Sequence, residues 1–153
     1  MAQRTMPKGM QFVMGSRLLK AMQHLNVWMY KKTAGRLGGS IQGAPVLLLT
    51  TRGRKTGTPR TTPVLYLDDG RDVVIVASKG GWPTDPLWYR NLQAEPAVTV
   101  QIGRDVRSMQ ARTAASAERE RLWTRLVKLY APYADYQSWS DREIPVVVLS
   151  PSN

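Results

Sequence analysis

The sequence has no cysteine and one histidine, His24, among its 153 residues. Without cysteine there can be no disulfide, no thiolate nucleophile and no sulfur ligand for a metal. A single histidine also argues against a histidine-rich metal site and against Ser-His-Asp catalysis. We therefore predict no metal centre in this protein.

Long apolar segments are lacking as well. No window reaches the ~18 consecutive apolar residues that a membrane span requires, and the first residues lack the apolar core of a signal peptide. The sequence therefore predicts a cytoplasmic protein.

Negative charge is scarce, because 22 lysines and arginines face 11 acidic residues and leave a net charge of +11. No pair of carboxylates is embedded in an apolar segment, which disfavours two-carboxylate hydrolysis. The excess of positive charge favours an anionic partner. Nucleic acid, an anionic membrane surface and a small ligand with several negative charges all fit.

The length suits one domain with an N-terminal extension. We assign residues 1–45 to an N-terminal helix and a flexible link, and residues 46–153 to the domain. An amphipathic helix is predicted over residues 11–32, because apolar residues recur there at steps of three and four. These residues are Leu18, Met22, Leu25 and Met29. We expect this stripe to pack on the domain, with a membrane surface as the alternative.

The domain contains short β-prone segments separated by glycine-containing turns. They cover residues 46–51, 61–67, 73–78, 97–102, 106–113 and 144–149. A short helix with Asp85 as N-cap lies between the third and fourth segments, and a helix capped by Ser116 and closed by Pro132 precedes the last. This order is not a βαβ alternation, so it argues against a Rossmann sheet and predicts a mainly β fold, a small barrel.

Three clusters of residues could carry chemistry. The first is the basic segment 52–60, whose arginine forks, lysine and glycines suit a phosphate but lack the spacing of a nucleotide P-loop. An exposed hairpin with solvated charges is the alternative. Its cations are Arg52, Arg54, Lys55 and Arg60.

The second cluster is the segment 77–81, followed by a helix that carries Trp88 and Asn91. Backbone donors are free at a strand end, so a ring system could bind there with Trp88 as a wall, although Trp88 could equally be plain core. The third cluster could line a pocket for a flat substrate or simply reflect helical packing. It comprises Tyr130, Tyr133, Tyr136 and Trp139. With no catalytic apparatus of its own, the sequence suits a protein that holds a reactive cofactor.

Three segments carry a family resemblance: residues 49–57 (LTTRGRKTG), 77–92 (ASKGG through PLWYRNL) and 136–142 (YQSWSDR). Together they resemble the deazaflavin (coenzyme F420)-dependent nitroreductase and quinone reductase family of actinobacteria. The resemblance implies a split β-barrel of the FMN-binding type. It also implies that the cofactor is coenzyme F420, an 8-hydroxy-5-deazaflavin with a phosphate and an oligoglutamate tail.

The resemblance further implies which residues bind the coenzyme. Those that would hold its phosphate and tail are Arg54, Lys55, Thr56 and Arg60. Those that would border its ring are Pro63, Val64 and Leu65. Those that would bond the ring are Ala77, Ser78 and Lys79, and those that would close the pocket are Trp88 and Asn91.

The implied reaction is hydride transfer from the reduced coenzyme to a quinone, a nitroaromatic or an activated enone. Residues similar to those that line the acceptor side are Tyr130, Tyr133, Tyr136 and Ser78. We hypothesise that one of these hydroxyls orients the acceptor oxygen and assists its protonation, while Trp82 and Pro83 narrow the entrance.

The N-terminal helix resembles a membrane-leaning extension of the family, which implies a peripheral position on the inner face of the cell membrane. Two alternatives stay open: a split barrel that uses FMN or haem, and a small nucleic-acid-binding barrel. The single phenylalanine and the lack of an aromatic β-face disfavour nucleic acid as a partner. The sequence is compatible with a monomer or a homodimer.

Overall fold

The computed structural model describes residues 17–152. Its helices are α1 (Arg17–Thr33), α2 (Leu87–Ala94), α3 (Ser116–Leu129) and α4 (Pro132–Trp139). Its strands are β1 (Ser40–Ile41), β2 (Ala44–Arg52), β3 (Pro59–Leu65), β4 (Leu67–Asp69), β5 (Asp72–Val76), β6 (Ala97–Ile102), β7 (Asp105–Thr113) and β8 (Val146–Pro151).

The strands pair antiparallel in the order β1-β2-β6-β7-β8-β5-β4, and β3 pairs with β2. The chain passes from β3 to β4 through the single residue Tyr66, so it joins the two ends of the sheet. Six strands, β2, β3, β5, β6, β7 and β8, thereby form a closed barrel. The prediction of a mainly β barrel is confirmed.

Two apolar clusters lie on opposite faces of the strands. Alternate residues point to opposite faces, so Ile75 faces the barrel interior while Val74 faces the helices α3 and α4. Leu122 and Leu126 of α3 cover this outer face. The strands β5 and β8 are therefore buried on both faces.

Helix α1 packs on the barrel through a face that the sequence did not predict. Tyr30 is 2% exposed and contacts the Val46 and Leu48 cluster. The backbone N–H of Gly103 donates to its hydroxyl at 2.8 Å, and this hydroxyl lies 3.3 Å from the carbonyl oxygen of Gln101. Because this anchor combines a ring with hydrogen bonds, apolar periodicity alone did not identify it.

The predicted packing of the stripe is wrong for Met22 and Leu25, which are 52% and 54% exposed. Residues 11–16 of the predicted helix and the side chain of Leu18 lie outside the described residues. No helix within residues 17–152 combines the length and the apolar character needed to cross a bilayer. Residues 33–45, predicted as a link, contain turns and the short β1–β2 hairpin.

Three predicted helix boundaries differ in the structure. Pro86, not Asp85, is the N-cap of α2, because the Asp85 carboxylate pairs with Arg142 at 3.0 Å instead. Ser116 is the first residue of α3, after Ala115 as N-cap, and makes no capping hydrogen bond. Pro132 begins α4 rather than opening a loop, since proline suits the first turn of a helix.

Candidate functional site

The basic segment forms a compact turn between β2 and β3. The backbone N–H of Gly53 donates to Thr58 at 2.8 Å, and that of Gly57 donates back to Gly53 at 2.7 Å. A Cβ atom at Gly53 would lie 2.8 Å from the Thr56 hydroxyl oxygen, so a larger residue there would displace this side chain. The backbone is held tightly while the charged side chains point outward.

Within the part of the chain that the structure describes, the charged side chains of this turn have no anionic partner. Arg52, Arg54, Lys55 and Arg60 are exposed, and within residues 17–152 none of them forms an ion pair. Other arginines are compensated by carboxylates, among them Arg112, Arg119, Arg121, Arg125 and Arg142. The turn therefore presents uncompensated positive charge that an anionic ligand could neutralise.

The side chain of Asn91 connects this turn to helix α2. The side chain is buried at 8% exposure; its Nδ2 donates to the Thr51 hydroxyl, and its Oδ1 accepts the backbone N–H of Arg54, both at 3.2 Å. The amide thus joins the end of β2 to the start of the turn. Sequence reasoning predicted Asn91 at the pocket wall and did not detect this support.

The segment 77–82 turns sharply after β5. Lys79, Gly80 and Gly81 all have positive φ angles, 45°, 62° and 80°. A Cβ atom at Gly81 would lie 2.7 Å from the carbonyl oxygen of Tyr136, so the turn and α4 touch backbone to backbone. The structure thereby brings the second and third predicted clusters together.

Arg142 binds this turn with its whole guanidinium. Nε donates to Trp82 O at 2.9 Å, Nη2 to Ser78 O at 2.7 Å, and Nη1 to Ala77 O at 3.1 Å. Its ion pair with Asp85 completes the set, and burial lowers the pKa of Arg142 from its ordinary value. Spacing did not reveal this role, because the partners lie 57 to 65 positions away in the sequence.

The aromatic cluster lies beside the turn. Tyr133 is 4% exposed, and its ring centroid lies 5.0 Å from that of Tyr130 and 6.2 Å from that of Tyr136. Burial raises the pKa of Tyr133 and of Tyr136 well above the ordinary value of 10.0. The hydroxyls of Tyr130 and Tyr136 are 3.4 Å apart. At neutral pH both Tyr133 and Tyr136 therefore keep their protons and can donate hydrogen bonds.

Lys79 is partly withdrawn from water. Burial, together with the charges of Arg90 and Arg142, lowers its pKa from the ordinary value of 10.5. Its Nζ donates to the Thr84 hydroxyl at 3.3 Å and lies 5.8 Å from the ring centre of Trp82. Trp82 thus covers the lysine side of the turn, while Pro83 is exposed.

The predicted ring-side residues are half-buried. Pro63, Val64 and Leu65 occupy the end of β3, where they pair with β2. Trp88 packs against the barrel interior and meets Tyr89 edge-on at 6.3 Å. Trp88 is therefore part of the core on one side and partly exposed to solvent on the other.

A sequence profile described as F420H(2)-dependent quinone reductase matches residues 22–151. The chain belongs to this family. A Mycobacterium tuberculosis relative with the same description is 46% identical over 117 residues, which cover 76% of this chain and 98% of the relative.

Solved structures agree with the family. A protein described as an F420-H2 dependent reductase is 42% identical and superposes with a TM-score of 0.65 over 69% of this chain and 94% of its own. A pyridoxamine 5′-phosphate oxidase of Listeria innocua, 17% identical, superposes with a TM-score of 0.50 over 71% of this chain and 84% of its own. The latter shows the fold alone, and the predicted FMN-binding type of split barrel is confirmed.

Proposed function

We propose that this family member binds reduced coenzyme F420 at the site described above and catalyses hydride transfer to a quinone. The observation that carries the proposal is the turn 52–60, which holds four exposed cations without ion pairs in the described chain. A phosphate with an oligoglutamate tail is an extended anion with several negative charges, as is needed to neutralise these four cations. When bound, the coenzyme supplies the hydride from its ring carbon.

The basic turn fits the phosphate and the tail. Arg54 and Arg60 can bind phosphate oxygens with planar forks, and Lys55 adds a point charge. Since Asn91 fixes the backbone of Arg54, the turn is held in place before a ligand arrives. Ordering the loop in advance lowers the entropic cost of binding.

The segment 77–79 and the end of β3 form the proposed ring site. Ala77 is buried, and Ser78 and Lys79 follow it where the strand ladder stops, so their polar groups can face a ligand. We propose Pro63, Val64 and Leu65 as the apolar border and Trp88 as the wall. In this proposal Asn91 contributes indirectly, because its side chain fixes the backbone of Arg54.

The tyrosines and Ser78 form the proposed acceptor side. A quinone oxygen gains a proton when its ring accepts a hydride, and a neutral phenol can donate a hydrogen bond to that oxygen. Tyr133 and Tyr136 stay neutral at physiological pH because burial raises the pKa of each. We expect the Tyr130, Tyr133 and Tyr136 to Phe triple variant, combined with Ser78→Ala, to lower turnover; unchanged turnover would reject this assignment.

The first experiment measures coenzyme choice. Purified protein is titrated with coenzyme F420 and, separately, with FMN, following fluorescence, and the reduced coenzyme is then mixed with menadione. We expect tight coenzyme F420 binding and acceptor-dependent loss of the reduced form. Preference for FMN, or binding of an oligonucleotide in place of either, contradicts the proposal. A nitroimidazole in place of menadione tests whether nitroaromatics are also acceptors.

We also propose that helix α1 docks on an anionic membrane surface. Its outward side exposes Met22, Leu25 and Trp28 by 52%, 54% and 58%. Beside this side lies a surface depression with no acidic residue in its lining, which comprises Lys31, Lys32, Thr33, Ala34, Arg36, Leu37 and Arg104. Apolar side chains rimmed by cations match the interface of an anionic bilayer.

Vesicle flotation tests this docking. The Leu25→Ser, Trp28→Ser double variant should lose binding to anionic vesicles, while Leu87→Ser, which changes a 68% exposed leucine elsewhere, should retain it. Deletion of residues 1–32 is a poor test, because it removes the buried Tyr30. The membrane proposal is wrong if the wild-type protein does not bind the vesicles and the double variant has a different molecular mass in solution from the wild type. In that case a second copy of the chain covers this face of α1.

A further inference from the structure

The turn 77–82 has a backbone shape that is unfavourable by itself. Lys79, Gly80 and Gly81 are successive residues with positive φ, and a side-chain-bearing residue such as Lys79 rarely adopts this conformation. At a non-glycine residue such as Lys79 this strain is of order 1–3 kcal/mol, and it persists only where surrounding contacts hold it. Something outside the turn must therefore fix it.

Two backbone hydrogen bonds lie within the turn, from Gly81 N–H to Ser78 O and from Trp82 N–H to Lys79 O. The side-chain hydrogen bonds to its carbonyl oxygens in the described chain all come from one residue. Arg142 donates to Ala77 O and Ser78 O before the strained residues and to Trp82 O after them. The guanidinium thus brackets the left-handed segment from both ends. Asp85 then fixes the guanidinium itself through an ion pair at 3.0 Å.

No other cationic side chain can replace this arrangement. The four acceptors are reached by three different nitrogens of one rigid planar group, whose side chain is 16% exposed. Lysine would keep the charge, but its donors radiate from a single nitrogen and cannot span the same set. Carbonyl oxygens left unpaired in a half-buried place would carry a desolvation cost.

We infer that Arg142 is a positioning residue for coenzyme binding: it holds the turn 77–82 in the conformation that presents Ser78 and Lys79 to the ligand. The inference rests on the proposed function. Arg142 itself touches no ligand in this scheme, because four of its five N–H groups donate to acceptors of the protein. Its effect reaches the acceptor side as well, since Gly81 of the same turn contacts the backbone of Tyr136.

The test is a fluorescence titration with coenzyme F420 that yields both a Kd and the number of binding-competent sites. For Arg142→Lys we expect Kd to rise at least about tenfold with the number of sites unchanged, because charge-assisted hydrogen bonds are lost. For Asp85→Ala, which keeps the three carbonyl bonds, we expect a rise of about twofold to fivefold. Arg112→Lys, at an exposed pair with Glu118 remote from the turn, should leave Kd unchanged.

A merely structural role gives a different result. It would lower the number of competent sites and the melting temperature while the remaining sites kept the wild-type Kd, and that outcome would overturn the inference. If Arg142→Lys does not fold, Asp85→Ala decides, and an unchanged Kd then rejects the positioning role. Failure of the wild-type protein to bind the coenzyme at all would instead reject the proposed function.

Discussion

At the scale of single residues, the arginines divide by their partners. Arg112 and Arg125 meet carboxylates at 2.6 Å and join elements of the fold, whereas Arg54 and Arg60 have no ion pair within residues 17–152. A cation without a carboxylate contributes little to the fold, so replacing it should affect the ligand more than the protein.

Replacement of Arg54 by alanine should therefore separate binding from stability. We expect Kd for coenzyme F420 to rise about tenfold, since a charge-assisted hydrogen bond is lost, and the free energy of unfolding to change by less than about 0.5 kcal/mol. Titration and chemical denaturation measure the two quantities. Arg71→Ala, at an exposed cation on the β4–β5 turn, is the control and should change neither.

At the scale of elements, the contact between α4 and the turn 77–82 depends on one missing side chain. Gly81 has a φ of 80°, and a Cβ atom there would lie 2.7 Å from Tyr136 O. Gly70 has a similar φ of 72°, but nothing lies within 4 Å of its Cβ position. A substitution at either glycine would therefore meet the same left-handed backbone, but only one at Gly81 would also meet a neighbouring atom.

Alanine substitutions at these glycines should consequently differ in cost. Gly70→Ala should lower the free energy of unfolding by about 1 kcal/mol through left-handed strain. Gly81→Ala should lower it by at least about 2 kcal/mol, because α4 must also move away from the turn. Urea denaturation of both variants measures the difference. Equal costs would show that α4 yields freely at this contact.

A second contact between elements is sensitive to acid. Asp69 of β4 accepts bonds from Arg121 and Arg125 of α3, and these bonds hold the pKa of its carboxyl below the ordinary value of 3.8. With a lowered pKa in the folded state, the carboxylate stabilises the fold above the unfolded pKa, and this stabilisation is lost as the pH falls through the folded value.

Asp69→Asn should therefore reduce the free energy of unfolding by about 1 kcal/mol at neutral pH, and this difference should shrink at acid pH, as the pH falls through the lowered pKa of the folded wild-type carboxyl. Denaturation curves at both pH values check the expectation. Glu120→Gln, at an exposed carboxylate on the same helix, should show no such pH-dependent difference. A difference that persists in acid would point to lost packing instead of lost charge.

At the scale of the whole molecule, the net charge of +11 acts at a distance. A positive field attracts a polyanion before contact and raises its association rate, and salt screens this attraction. We expect the association rate of coenzyme F420 to fall several-fold between about 0.01 M and 0.3 M salt. Stopped-flow fluorescence measures the rate, and menadione, which is uncharged, should show no comparable salt dependence in KM.

Much of the barrel was predictable from local pattern. The segment predicted over residues 97–102 is β6, because its alternation of apolar and polar residues matches a half-buried strand. The sequence analysis predicted that the apolar stripe of α1 packs on the domain, whereas its outer residues are exposed. Periodicity shows that such a stripe exists, but it does not show which surface covers it. The residues Asn91 and Arg142 support the site through partners 37 to 65 positions away, and spacing carries no signal for such contacts.

The candidate ligand contacts came from the family resemblance rather than from the physics of the chain. The basic segment 52–60 was the exception, since its composition alone suggested an anion. Composition did not show that α4 begins at Pro132, because the same proline that ends one helix is also favoured at the start of the next.

The strand β8 lies between β7 and β5. Its Leu149 pairs with Ala111 of β7 on one side and with Val73 of β5 on the other. During synthesis on the ribosome, β5 and β7 both emerge before β8. Until β8 is made, each of them has one strand edge without a hydrogen-bonded neighbour. Premature termination before Val146 would release chains with two open strand edges and an uncovered apolar interior, which are features of polypeptides that associate with one another. The barrel can therefore close only after the last strand has been synthesised.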